Sequence, residues 1–208
     1  GMAFIWLKLP RLTPGTTETV YMYYGNESAP AAGDSGATWD VNQAVVYHFA
    51  DGKAEDATSY HNNPSTSSAI ANPGSVIGTG VRFDGAERIA VPASASLRLV
   101  PAQGMTISAW INVEQEQRDA VLVEGVDPSG AFVTLAIDGF TPYLKVGDRS
   151  GAAESPRTTR VTPGNWHLVT AILGANAATL YLDGERISEG VPARLVEVGG
   201  EYSIAGAV

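Results

Sequence analysis

The residues that could do chemistry fall into four groups. Gly33-Asp34-Ser35-Gly36 sets a serine hydroxyl between flexible neighbours, where a nucleophile could act. Such a serine needs a His base within hydrogen-bond reach and an Asp to orient that base. The three histidines, His48, His61 and His167, stand in no sequence context that supplies one. We therefore read the segment as a polar connecting loop. The second group is the run A-D-G-K-A-E-D-A-T-S-Y-H-N-N, which concentrates Asp51, Glu55, Asp56, Thr58, Asn62 and Asn63. These are hard oxygen donors of the kind calcium takes from loops, although the spacing is not that of an EF-hand. Calcium is the candidate cofactor and Asp56 the best side-chain ligand. The competing reading is a solvated Asx-rich loop.

Carboxylates form the third group. Retaining glycoside hydrolysis needs two carboxyl groups about 5 Å apart. Glu114 with Glu116, and Glu124 with Asp127, flank β-prone runs and read as solvated turn residues, and no E-x-D-x-x-E run is present. No catalytic residue is assigned. The fourth group is aromatic: a flat ring covers the apolar face of a sugar while polar neighbours bond its hydroxyls. Tyr60, Trp110, Tyr143 and Tyr181 are the candidate ligand-binding residues, each weighed against a plain packing role.

Composition limits what these groups can serve. The 208 residues carry 13 Lys plus Arg against 22 Asp plus Glu, a formal net charge of -9. That balance disfavours nucleic acid or an anionic membrane surface as the main partner. With no Cys, thiolate catalysis and zinc-cysteine sites are excluded. No apolar run approaches the roughly 20 residues that a membrane-spanning helix needs. The start lacks the build of a signal peptide, and Gly ahead of Met reads as the scar of a cleaved tag on a piece of a longer protein.

The elements that must position the candidates are strands. Beyond Asp40 come short runs rich in β-branched and aromatic residues, among them A-V-V-Y-H-F, M-T-I-S-A-W-I-N-V, F-V-T-L-A-I, W-H-L-V-T-A-I and A-T-L-Y-L. Their close spacing predicts an antiparallel all-β sandwich or barrel. In M-T-I-S-A-W-I-N-V, Met105, Ile107, Ala109, Ile111 and Val113 share one face, while Thr106, Ser108, Trp110 and Asn112 share the other. The W-H-L-V-T-A-I-L run is apolar on both faces, as in a central strand. Asp183-Gly184, between two such runs, predicts a type I′ hairpin turn. Ahead of Asp40, residues 1–26 read as a β-hairpin around Pro14-Gly15 and residues 27–40 as a linker. In that linker Trp39 could dock the hairpin onto the sandwich.

R-F-D-G-A-E-R-I-A-V-P, M-T-I-S-A-W-I-N-V and G-N-W-H-L-V-T-A-I-L…A-T-L-Y-L-D-G-E-R-I together resemble the laminin-G-like, concanavalin A-like jelly roll. The resemblance implies a two-sheet antiparallel sandwich over residues 41–208, with the family's closing C-terminal strand missing. W-L-K-L-P…Y-Y-G-N is similar to the end of an uncharacterised bacterial domain that often precedes such jelly rolls. G-D-S-G resembles a trypsin-like nucleophile site, and residues 32–39 a sialidase Asp box without its leading Ser; both likenesses lack the residues that would complete them. What the jelly roll implies is a non-catalytic recognition module, extracellular or periplasmic and cell-envelope associated, binding a glycan or protein, often with calcium. A structural spacer and a glycoside hydrolase on the same fold are the alternatives. A missing closing strand would leave a sheet edge for the N-terminal hairpin, or for a second chain in an edge-strand homodimer.

Overall fold

A computed structural model of the chain describes residues 4–192 and 196–206. It is an antiparallel β-sandwich. The strands are β1 (Thr66–Ser67), β2 (Ile70–Asn72), β3 (Gly80–Arg82), β4 (Ile89–Val91), β5 (Met105–Asn112), β6 (Gln117–Val126), β7 (Phe132–Gly139), β8 (Thr141–Asp148), β9 (Gly151–Glu154), β10 (Trp166–Leu173), β11 (Ala177–Leu182), β12 (Glu185–Pro192) and β13 (Glu201–Ile204). A seven-stranded sheet runs β1-β4-β13-β6-β7-β8-β9 and a four-stranded sheet runs β12-β11-β10-β5, with β2 and β3 as a separate pair.

Alternation along each strand builds the core between the two sheets. Leu135, Ile137, Leu144 and Val146 from the larger sheet meet Val169, Ala171, Leu173, Ala178 and Leu180 from the smaller, all at 0–1% exposure. β10 lies inside the four-stranded sheet, as its two apolar faces predict. The Asp183-Gly184 turn joins β11 to β12 with both residues at positive φ, 52° and 83°, as a type I′ turn requires. β13, from the run E-Y-S-I-A, sits inside the larger sheet between β4 and β6.

The N-terminal part departs from the expected hairpin. Residues 4–26 contain no strand pairing, and Leu12, Tyr21, Met22, Tyr23 and Tyr24 are exposed. β-prone sequence pairs stably only where it has an apolar face to bury, and a lone two-stranded hairpin is marginal in water. The segment is held instead by side chains near its start, among them Phe4, whose ring lies beside Gly78. The Trp6 ring stacks on His48 at 4.7 Å and lies 5.5 Å from Trp39, while Lys8 Nζ donates to the Ala37 carbonyl at 3.0 Å. Trp39 thus docks the N-terminal segment against the first apolar run of the sandwich. Burial in this cluster holds the His48 imidazole below its ordinary range.

The G-D-S-G segment is more ordered than a loop. Ser35–Thr38 form one helical turn whose N-cap is Asp34, its Oδ1 accepting from the Ala37 amide at 3.0 Å. Ser35 is exposed, and among the described residues no histidine bonds to it.

Candidate functional site

The four aromatic candidates separate into three environments. Tyr60 lies by the linker, where its hydroxyl donates to the Val41 carbonyl at 2.8 Å. It fastens Val41, the residue that follows the linker, and stands apart from the other three.

Tyr143 lies on β8, on the outer face of the seven-stranded sheet, and is only 5% exposed. The Arg157 guanidinium covers its ring, 3.8 Å from the centroid, and its hydroxyl donates to Asp119 Oδ1 at 3.0 Å. Arg157 is in turn held by Asp138 at 2.7 Å, Asp119 at 3.2 Å and Glu154 at 3.3 Å. Burial, then the bond to Asp119, pushes the Tyr143 phenol up to about 12. The ring has no open face for a ligand. Asp119, which anchors both Tyr143 and Arg157, adopts a positive φ of 45° where the β6 ladder shifts register. Sequence pattern gave no sign of it, because a bulge is set by the neighbouring strand.

Trp110 and Tyr181 do come together, on the outer face of the four-stranded sheet. The register places Trp110 of β5 opposite Leu168 of β10, Ser108 opposite Thr170, and Thr170 opposite Tyr181 of β11. Strand spacing and rise put the two aromatic positions about 12 Å apart. Between them the Ser108 and Thr170 hydroxyls bond each other at 2.9 Å. Trp110 is 49% exposed and Ile172, on the same face, 41%. A half-exposed indole, a hydroxyl pair and a second aromatic thus share one sheet surface, the arrangement that suits the apolar face and hydroxyl rim of a sugar.

One end of the four-stranded sheet is fixed by a His–Asp clamp. Asp183 Oδ2 meets His167 Nδ1 at 2.7 Å and Asp183 Oδ1 accepts from the Leu168 amide at 2.8 Å. His167 Nε2 accepts from the Thr162 amide at 3.0 Å, so the ring's other nitrogen carries the proton toward Asp183. The bond from His167, then that from Leu168, holds the Asp183 carboxyl below the usual carboxylate range. The pair ties the residue 162–167 turn to the β11–β12 hairpin, and the nitrogen that a general base would use is taken by the Thr162 amide.

The oxygen-rich loop is organised around Asp56, which is buried. Its Oδ1 accepts from the Val46 and Thr58 amides, each at 3.0 Å, and its Oδ2 from the Thr58 hydroxyl and the Asn62 amide, each at 2.8 Å. Asn62 Nδ2 continues the network to the Ala44 carbonyl and Ser96 Oγ. As folded, the loop's own donors occupy the Asp56 carboxylate, so a calcium ion there would have to displace Thr58 or Asn62. Among the described residues no three His, Asp or Glu side chains converge as a metal site.

The carboxylates reveal one difference from the sequence reading. Glu124 is no turn residue: it lies within β6 and accepts from the Thr134 hydroxyl at 3.0 Å. Asp127 does shape a turn, accepting from the Ser129 amide at 2.8 Å and the Gly199 amide at 3.1 Å, and the Ser129 bond leads in holding its carboxyl low. Glu116 faces Arg160 at 3.8 Å.

Comparison with known proteins bears on the fold. The family described as the concanavalin A-like lectin/glucanases superfamily matches residues 83–206, and a domain of unknown function, DUF2341, matches residues 1–63. No curated protein sequence matches the chain. Among solved structures, domain 4 of AbnA, a GH43 extracellular arabinanase from Geobacillus stearothermophilus, in complex with arabinotriose, superposes with a TM-score of 0.62 at 17% identity, over 77% of this chain and 82% of that one. The binding domain of botulinum neurotoxin DC, in complex with rat synaptotagmin II, gives 0.58 at 11% identity, over 81% of this chain and 45% of that one. The binding domain of botulinum neurotoxin serotype G gives 0.57 at 12% identity, over 72% and 40%. The chain therefore spans less than half the length of the neurotoxin domains it resembles. At these identities the likeness shows the shared fold.

Proposed function

From the premise that this chain belongs to the concanavalin A-like lectin/glucanases superfamily, we propose that it is a non-catalytic recognition module whose ligand is an oligosaccharide. The observation that carries this reading is the half-exposed Trp110 on a regular strand, beside the Ser108–Thr170 hydroxyl pair and on the same face as Tyr181. A binding role is supported by the solved neighbours, one of which is in complex with arabinotriose and another with rat synaptotagmin II. It is also supported by the ties that hold three of the candidate carboxylates. Glu124 is bonded to a hydroxyl, Asp127 to a turn and Glu116 to an arginine. A location outside the cytoplasm, on or near the cell envelope, suits a module that reads glycans.

The test is a glycan array probed with the chain and with Trp110→Ala, each with and without calcium. We expect binding to one class of oligosaccharide, weakened at least tenfold by Trp110→Ala. Calcium dependence of the same signal would bring the Asp56 loop into the ligand site. No glycan binding in either condition would favour a structural spacer, and sugar release from a bound oligosaccharide would favour a hydrolase.

A further inference from the structure

The outer surface formed by β5, β10 and β11 is built without ionisable acids or bases. By the register, β5 and β10 each turn four side chains outward and β11 turns three, and all eleven are at least partly exposed. None of them is Asp, Glu, Lys, Arg or His. Charged residues make up 17% of the chain and gather on surfaces, so about three would be expected among eleven such positions. The other sheet meets that expectation: Asp138, Lys145 and Glu154 stand on its outer side, with Arg157 held by the first and last. On the four-stranded sheet hydroxyls take the place of charge. Thr106, Ser108, Thr170 and Thr179 share the face with Trp110 and Tyr181.

Among the described residues the nearest charged groups lie at the margins of this surface. Asp183 follows the last residue of β11, and its two oxygens are taken by His167 and the Leu168 amide. Arg186 stands opposite Tyr181 on the edge strand β12. Three strand spacings and one step along the strands separate it from Trp110, about 16 Å.

We propose that this face takes an uncharged glycan and selects against acidic ones, such as chains of uronic acids or sulfated sugars. The proposal rests on the recognition reading of Trp110 and deepens it. A carboxylate or sulfate pressed against the sheet loses water and meets hydroxyls instead of a cation, and a charge desolvated without a partner is costly. Approach is unfavourable as well, because the chain carries a net charge of -9 and Asp183 adds a carboxylate beside Leu168. A neutral sugar meets neither obstacle. Its apolar face covers the indole, and its hydroxyls exchange water for protein partners of the same kind. The Ser108–Thr170 bond uses only one of that pair's two O–H donors, so a donor and several lone pairs remain for the ligand.

The test is equilibrium binding of the chain, Trp110→Ala and Ser108→Lys to immobilised polymers, neutral (arabinan, xylan, a β-glucan) and acidic (polygalacturonate, heparin). Each is measured at about 0.01 M and about 1 M salt, where charges act over about 30 Å and about 3 Å. We expect a neutral polymer to bind through Trp110 with an affinity that changes less than about twofold between the two salts. Acidic polymers should bind at least about tenfold more weakly at low salt, where repulsion reaches furthest. Ser108→Lys, which sets a cation beside Trp110, should gain the acidic polymers at low salt and lose them at high salt. Acidic polymers held as tightly as neutral ones, with the signal lost in Trp110→Ala, overturn the proposal and leave the recognition reading standing. A Ser108→Lys chain that melts like the parent yet still rejects acidic polymers at low salt also overturns it, since charge is then not what the face discriminates. Binding of neither class at either salt overturns the recognition reading and this proposal with it.

Discussion

The two outer faces of the sandwich carry the same raw material, an aromatic ring among polar side chains, and use it in opposite ways. On the seven-stranded sheet, Tyr143 is capped by Arg157, which three carboxylates hold in place. On the four-stranded sheet, Trp110 keeps half its surface in water, and its polar neighbours bond each other. A ring that has already found a cation and a hydrogen-bond acceptor contributes to stability. A ring left open costs the fold little and is available to a ligand. An exposed aromatic on a regular strand is therefore informative where a buried one is ordinary.

The largest expected effect tests that division directly. Tyr143→Ala should cost about 3 kcal/mol, as large aromatic truncations in packed sites do, and leave glycan binding by the folded fraction unchanged. Trp110→Ala should do the reverse, with a stability change below about 1 kcal/mol and the binding loss described above. Urea denaturation read beside the array checks both, and a Tyr143→Ala protein that folds normally but no longer binds would break the comparison.

Acid and alkali should then act on different faces. Asp183 has a lowered carboxyl in the folded chain, so its contribution is complete above the unfolded value of about 3.9 and is lost as pH falls through the lowered folded value. The Tyr143 phenol is raised to about 12, so its contribution is complete below the unfolded value of about 10 and is lost as pH rises toward 12. Asp183→Asn keeps a residue that suits the type I′ turn and removes the charge. It should cost about 0.5–1 kcal/mol at neutral pH, since the carboxylate is partly exposed, and should flatten the acid limb of the stability profile. Tyr143→Phe should flatten only the alkaline limb. Thermal melts across pH separate the two, and an alkaline limb unchanged in Tyr143→Phe would assign that limb to Tyr47 and Tyr202, whose phenols burial also raises.

The smallest effect concerns neither face. Trp39→Ala should leave the melting temperature of the sandwich within a few degrees of the parent and speed proteolysis ahead of residue 44, because Trp39 and Trp6 hold only the N-terminal segment. Ser35→Ala should change neither binding nor proteolysis. A Trp39→Ala chain cut at the parent rate would show that Lys8 and the remaining contacts hold the segment without the ring.

What the sequence by itself determined was local. The Asp183-Gly184 turn followed from the φ values those two residues tolerate, and the two faces of β5 followed from side-chain alternation. The resemblance carried in three separated runs pointed to the jelly-roll family that the chain belongs to. Which faces of different strands join was decided only by the tertiary structure, because strand order and register are set by contacts far apart in sequence. Trp110 and Tyr181 share a surface through β10, Tyr143 is closed by an arginine that follows it by 14 positions in a different segment, and Asp56 is enclosed by donors from both sides of its loop. The N-terminal runs make the same point in reverse. Their β propensity was plain in the sequence, but propensity forms a strand only where a partner and a buried face exist to reward it.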